Sequence, residues 1–271
     1  MRAWRVTVDA AEEDLVTAAL WEAGTAGIEV QPAPGGRVHL LAYFEGDAAT
    51  PALALPPGAA VEAAEVEEVD WVARFREGFH AFHAGRFLVA PPWDPATDRP
   101  SPDTLVVDPG RAFGTGTHET TRLCLAALEG LAIRRPLGRA LDLGAGTALL
   151  AVAALRLGAR FVVASDIDRE ANDASGRHAR LNDVRLAVVR ADGGRGFRPG
   201  SFDLVLANLM TLLLVDRAPE IRALLGPGGA LLLSGLLVDD LSCVRGAFAP
   251  CGTPTVLVDG EWAALVYEGV T

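Results

Sequence analysis

Apolar positions along the chain follow two periods. Residues 4–8 alternate apolar and polar, the signature of a half-buried strand. In the stretch that follows, AEEDLVTAALWEAG, Leu15, Ala18, Ala19 and Glu22 fall at helical spacing and Gly24 stands where a helix stops. Residues 28–30 and 38–44 read as strands on either side of the turn-like PAPGG. Together they predict a small β-α-β-β unit. Residues 47–60, rich in Ala and Pro, read as a loop, and a further strand is expected within residues 61–69. Trp71, Phe75, Phe79 and Phe82 recur at helical spacing, which predicts a short amphipathic helix over residues 71–85 packed on the part that follows. The next segment, FLVAPPWDPATDRPSPD, begins as a strand and becomes a Pro-rich loop. The expected organisation is a first domain over residues 1–60, a linker with its helix over 61–90, and a second domain over 91–271.

From Leu105 onward strands alternate with helices. LVVDPG ends a strand, and HETTRLCLAALEGLAI is a helix with an apolar stripe at Leu123, Leu125, Ala127 and Leu128. RALDLGAG is a strand entering a glycine turn, and TALLAVAALRLG is the helix after it. ARFVVASDID and REANDASGRHARLN repeat the pair. RLAVVRAD, FDLVLANL and GGALLLSGLL are strands, and TVLVDGEWAALVYEG closes as a hairpin. Alternating elements of this kind predict a Rossmann-like, doubly wound α/β sheet, mixed because of the antiparallel end, preceded by a small α+β domain.

Composition narrows the chemistry. The 271 residues carry a formal net charge of −11, and all 24 basic side chains are Arg. Phosphate binding needs clustered basic residues, so no direct nucleic-acid binding is expected. Half of the residues are hydrophobic, enough for a sizeable core. Cys124, Cys243 and Cys251 are far apart with no CxxC pair, so neither a disulfide framework nor a zinc site is expected. The start, MRAWRVTVDA, lacks an apolar signal region. The apolar run ALLGPGGALLLSGLLVDDL is broken by Gly and Pro. A cytoplasmic location, without a membrane partner, is the expectation.

Three clusters carry candidate chemistry. The first is LDLGAGTALL, with Asp142, Gly144 and Gly146 at a strand-to-helix junction. Glycine belongs where the backbone turns with positive φ or must lie against a ligand. Asp166 and Asp168 end the next strand, where an acid can accept hydrogen bonds from ribose hydroxyls. Leu149 stands where the dinucleotide pattern requires its third glycine, so NAD is disfavoured, and D-x-G-x-G is instead the pattern of S-adenosylmethionine-binding methyltransferases. The second cluster is FGTGTHETT, with Thr117 as a candidate helix N-cap and His118 in the loop. It reads either as a capped turn or as a lip over the cofactor. The third is FDLVLANLM, an apolar strand ending at Asn208, where the crevice of an α/β sheet opens. An amide oxygen there can accept an N–H; the alternative is an Asn that caps the next turn.

The runs DWVARFREGFHAFHAGRFLVAPPW, DPGRAFGTGTHETTRLCLAALEGL and ALDLGAGTALLAVAALRLGA, with SDID and LANLM, resemble the bacterial ribosomal-protein methyltransferase family PrmA. The resemblance implies methylation of lysine side-chain and N-terminal amines of the basic large-subunit ribosomal protein L11. It implies S-adenosylmethionine as cofactor, with contacts at Thr121, Gly144, Asp166 and Asn208. Gly146 and Asp142 belong to the same motif, and Asn208 is the residue expected to hold the reacting amine. No metal is expected. The first domain resembles the family's substrate-recognition domain. The chain departs from the family pattern at Ala148, where a glycine is usual, at Arg169, where a proline is usual, and at His178, where an asparagine is usual. The departures leave open another protein or nucleic-acid amino group as substrate, or a module that binds cofactor without turnover.

Overall fold

The computed structural model describes residues 2–25, 27–44, 55–64, 79–109 and 118–270. The chain divides into two compact units, residues 1–71 and 72–271. In the first, strands β1 (Arg2–Asp9), β2 (Gly27–Ala33), β3 (Arg37–Phe44) and β4 (Ala60–Ala64) form an antiparallel sheet ordered β2-β3-β1-β4. Residues 60–64 therefore belong to this sheet and not to a linker. Helix α1 (Glu13–Glu22) buries Val16 and Leu20 against Val6, Val8, Leu40 and Ala42. Leu15, one of the residues read at helical spacing, is exposed.

The second unit is built on a seven-stranded sheet. Its strands are β8 (Arg139–Leu143), β9 (Phe161–Asp166), β10 (Ala187–Arg190), β11 (Phe202–Asn208), β12 (Leu225–Leu237), β13 (Thr255–Asp259) and β14 (Trp262–Val270). They lie in the order β10-β9-β8-β11-β12-β14-β13, parallel as far as β12, with β14 antiparallel to both of its neighbours. Alternate side chains feed two cores. Ala140, Leu204, Leu206 and Leu232 pack on one face with α2 (Glu119–Arg134) and α3 (Leu149–Arg156). Leu141, Val205, Leu231 and Leu233 pack on the other with α5 (Thr211–Asp216), α6 (Ala218–Ala223) and α7 (Leu241–Ala247). Helix α4 (Arg169–Leu181) follows β9. A separate small sheet joins β5 (Phe82–Ala84), β6 (Phe87–Ala90) and β7 (Thr104–Val106).

Most of the helix expected over residues 71–85 lies outside the described residues; within them, Phe82 is on a strand and Phe79 is buried in the first of the two cores. Helices α5, α6 and α7 were not expected.

Candidate active site

The carboxyl ends of the parallel strands open into a cavity of about 730 Å³, lined from Gly144, Asp166, Asn208 and Gly235 among others. It lies where the strand order reverses between β8 and β11, the place at which open α/β sheets bind ligands.

The floor is the turn after β8. Gly144 and Gly146 have φ of +71° and +55°, which only glycine adopts without steric penalty. The N–H groups of Gly144 and Ala145 donate to the Ser165 carbonyl at 2.8 and 3.0 Å. Gly146 N–H donates to Asp166 Oδ2 at 3.0 Å, and Asp168 N–H donates to Asp166 Oδ1 at 3.0 Å. Asp166 thus ties the turn to the end of β9 while remaining in the cavity wall. Asp168 also lines the cavity and caps α4 by accepting from Glu170 N–H at 3.0 Å. Ala148, the N-cap of α3, is left-handed at φ +61° and fully buried. That conformation is the physical reason a glycine is at ease there.

The opposite wall follows β11. Leu209 N–H donates to the Ser234 carbonyl at 3.0 Å. Next to it, Gly235 has φ +83°, and a Cβ there would stand 2.8 Å from the Leu209 carbonyl carbon and 3.0 Å from its nitrogen. Two backbones therefore touch at this point, and any side chain would part them.

Asn208 is oriented by its neighbours. Its Nδ2 donates to Thr120 Oγ1 at 3.3 Å. Thr120 N–H donates to His118 Nδ1 at 3.3 Å, and the Thr120 hydroxyl lies 2.9 Å from the same nitrogen. Because Nδ1 accepts from the backbone N–H, it also takes the hydroxyl proton, which leaves the Thr120 lone pairs to Asn208. His118, not Thr117, is the N-cap of α2, and Thr117 lies outside the described residues. The His118 ring meets Trp262 edge-on, centroids 4.7 Å apart.

The amide of Asn208 then carries its Oδ1 away from Thr120. That oxygen and Thr121 Oγ1 are buried and have no hydrogen-bond partner among the described residues. Both residues border a smaller chamber of about 20 Å³ behind the turn, together with Asp142. Asp142 is buried and its Oδ2 accepts from Ala151 N–H at 3.0 Å. Burial pushes its carboxyl up to about 7; the Ala151 N–H works against that shift, and the charge of Asp166 adds to it.

Of the residues singled out in the sequence, Gly144, Gly146, Asp166 and Asn208 come together around the main cavity. Thr121 and Asp142 do not line it; they face the smaller chamber, which Gly144 and Asn208 border as well. Thr120 takes the main wall, since successive helical residues point about 100° apart. Gly235, Met210, Leu213 and Trp262 also line the cavity and were not foreseen. The departure at His178 has a partner of its own: its Nε2 accepts from Asp108 N–H at 2.9 Å. Among the described residues no cluster of three or more His, Cys, Asp or Glu could hold a metal ion, and no helix is long and apolar enough to cross a membrane.

A doubly wound sheet with a glycine turn at its switch point and an acid ending the adjoining strand defines the class: an S-adenosylmethionine-dependent methyltransferase. The model of the ribosomal protein L11 methyltransferase (PrmA) family matches residues 3–269, and the chain belongs to that family. It is 41% identical over 236 residues to the ribosomal protein L11 methyltransferase of Geobacter sulfurreducens, covering 86% of this chain and 77% of the relative. It is 36% identical over 295 residues to that of Syntrophotalea carbinolica, covering 97% and 96%. The crystal structure of a ribosomal protein L11 methylase from Lactobacillus delbrueckii subsp. bulgaricus superposes with a TM-score of 0.62 at 29% identity, over 71% of this chain and all of that one.

Proposed function

We propose that this enzyme transfers the methyl group of S-adenosylmethionine to lysine side-chain and N-terminal amines of ribosomal protein L11, in the cytoplasm, with Asn208 holding the incoming amine. The substrate is the one that the relatives' names carry. The observation that carries the chemistry is Asn208 in the cavity wall, with its Oδ1 buried and without a hydrogen-bond partner among the described residues. A buried acceptor without a partner costs about 1–3 kcal/mol, so the site favours a ligand that brings an N–H.

The residues fit the cofactor. Gly144 and Gly146 present backbone with no side chain in the way. Asp166 keeps lone pairs after its two backbone bonds and suits the ribose hydroxyls. Thr121 offers a buried hydroxyl for the charged amino-acid end, with Asp142 behind it. When bound, the cofactor supplies an electrophilic methyl group on a sulfonium.

A free lysine amine has a pKa of about 10.4 and reacts only when neutral. The walls at Leu209, Met210, Leu213 and Trp262 disfavour its charged form by desolvation. The proton leaves to water before attack, and Asn208 Oδ1 accepts a remaining N–H and so aims the lone pair. The acidic chain attracts a basic large-subunit protein at long range. Selection of that protein is assigned to the first unit, since the second holds a complete catalytic fold.

The test is incubation with labelled cofactor and purified ribosomal protein L11, followed by mass spectrometry of its peptides. Methyl groups on lysine and α-amines are expected. This chain contains no Lys, so label on lysine cannot be its own. Label that enters only nucleic acid or another protein overturns the reading.

A further inference from the structure

Apolar surface surrounds the mouth of the cavity in a way that the core does not require. Met210 is 69% and Leu212 82% exposed, and Leu213 and Ile167 are exposed beside them. Helix α5 is only six residues long and only Leu214 of it is fully buried, so its neighbours are turned outward. Across from it, β12 runs out at Leu237 and Val238, both exposed. Thr211 Oγ1 donates to Asp240 Oδ2 at 2.6 Å, and Val238 N–H donates to the Glu261 carbonyl at 2.8 Å. These bonds join the start of α5, the turn after β12 and the start of β14 into one ledge. The ledge is continuous with the site, because Met210, Leu213 and Trp262 also line the cavity.

Carboxylates stand around the ledge. Asp216, Asp239 and Glu261 are exposed around the apolar residues, with Asp240 beside them. Arg217 is engaged by Asp192 at 3.0 Å, Glu220 at 3.4 Å and Asp216 at 3.5 Å. Loops that follow the carboxyl ends of strands are where α/β enzymes carry their specificity, and contiguous exposed apolar surface marks an interaction site.

We propose that this ledge docks the residues flanking the target amine of the protein substrate, and that it selects a basic segment with aliphatic side chains within two or three positions of the reacting lysine. The proposal rests on the reading of the cavity as a protein-amine methyltransferase site. Aliphatic flanks cover Met210, Leu212 and Leu213, and Arg or Lys flanks face Asp239 and Asp240. Leu212 and Asp239 lie outside the cavity lining, so their part is in holding substrate, not in the chemical step.

The experiment uses the full chain and an array of lysine peptides whose flanks are aliphatic and basic, aliphatic and neutral, or polar and basic. The first class is expected to show the lowest KM. Leu212→Ser should raise KM for that class by about threefold to tenfold with kcat unchanged. Asp239→Ser should raise it by about twofold to threefold at low salt, a difference lost near 1 M salt, where the Debye length is about 3 Å. Cofactor affinity, read by calorimetry, should stay at the parental value in both variants. An array without preference, or an unchanged KM in Leu212→Ser, overturns the ledge. So does a parental dimer that Leu212→Ser turns into a monomer, because the surface is then an interface between copies. Transfer to ribosomal protein L11 is scored separately: its failure removes the named substrate, while the array still judges the ledge.

Discussion

On the β8–β9 side of the cavity the turn is fully engaged by the protein itself. Ser165 accepts from Gly144 and Ala145, Asp166 accepts from Gly146 and Asp168, and Ser175 Oγ donates to the Gly146 carbonyl at 3.0 Å. On the β11–α5 side the amide oxygen of Asn208 has no partner among the described residues, and Met210 and Leu212 stand exposed. The first wall is completed by folding, as suits a ligand that is the same in every turnover. The second is completed only by what binds, as suits a substrate that must be recognised and released. Pre-organisation lowers the ordering cost of binding, while an unpaired buried polar atom is a discrimination device.

That contrast can be broken at several points. The largest effect is expected from Gly235→Ala, which drives a methyl group into the Leu209 backbone from a left-handed residue. Overpacking and backbone strain together should cost about 3 kcal/mol, or roughly 6–12 °C in melting temperature for a domain of this size. A parental melting curve would show that the second wall does not depend on this backbone contact. Asn208→Ala should come next. With its oxygen unpartnered, loss of the side chain should leave the melting temperature nearly unchanged, while turnover at saturating cofactor falls on the order of a hundredfold. The reverse pattern, a lower melting temperature with normal turnover per folded molecule, would make Asn208 a structural cap.

Asp166→Ala should behave differently because it lies on the completed wall. It should weaken cofactor binding by about 1.5–3 kcal/mol and also lower thermal stability, since two backbone N–H groups lose their acceptor. Calorimetry and a melt on one preparation separate these effects, and an unaltered dissociation constant would move the ribose contact to Asp168. Asp142→Asn should change how stability depends on pH. Burial raises the folded-state pKa of Asp142 from 3.8 to about 7, so the folded chain keeps a proton that the unfolded chain releases. This contribution is fully present below about pH 4 and is lost as pH rises through about 7. The amide cannot ionise and still offers an acceptor to Ala151, so the decline in melting temperature over that window should flatten. A slope identical to that of the parent would place the titration on another group.

The completed wall was the legible one. A glycine turn between an apolar strand and an apolar helix, with an acid ending the next strand, is a local pattern, and Gly144, Gly146 and Asp166 are where it led. Asn208 was legible as the end of an apolar strand. What escaped notice depends on contacts distant in sequence. Gly235 matters only because Leu209 lies against it, and Trp262 reaches the cavity only because β14 runs antiparallel and starts at the end where the parallel strands finish. Helices α5 and α6 are six residues each, too short to set up a 3.6-residue period, and Pro219 sits in the first turn of α6, where its missing N–H costs nothing. The apolar stripe on α2 was drawn too narrowly; Cys124 and Leu131 are buried with it because the helix packs across both β12 and β14. Thr120 and Thr121 differ only in the direction they point, which no composition reveals.

Ala148 bears on how freely this site can drift. A left-handed alanine costs about 1–2 kcal/mol relative to the right-handed form. Against that, its buried methyl group contributes roughly 0.8 kcal/mol, and an alanine restricts the unfolded chain by about 0.4–1 kcal/mol compared with glycine. These contributions nearly cancel. Exchange between alanine and glycine at the mouth of the turn is then close to selectively silent for folding, and a lineage can cross between the two residues in a single step, in either direction, without losing the fold.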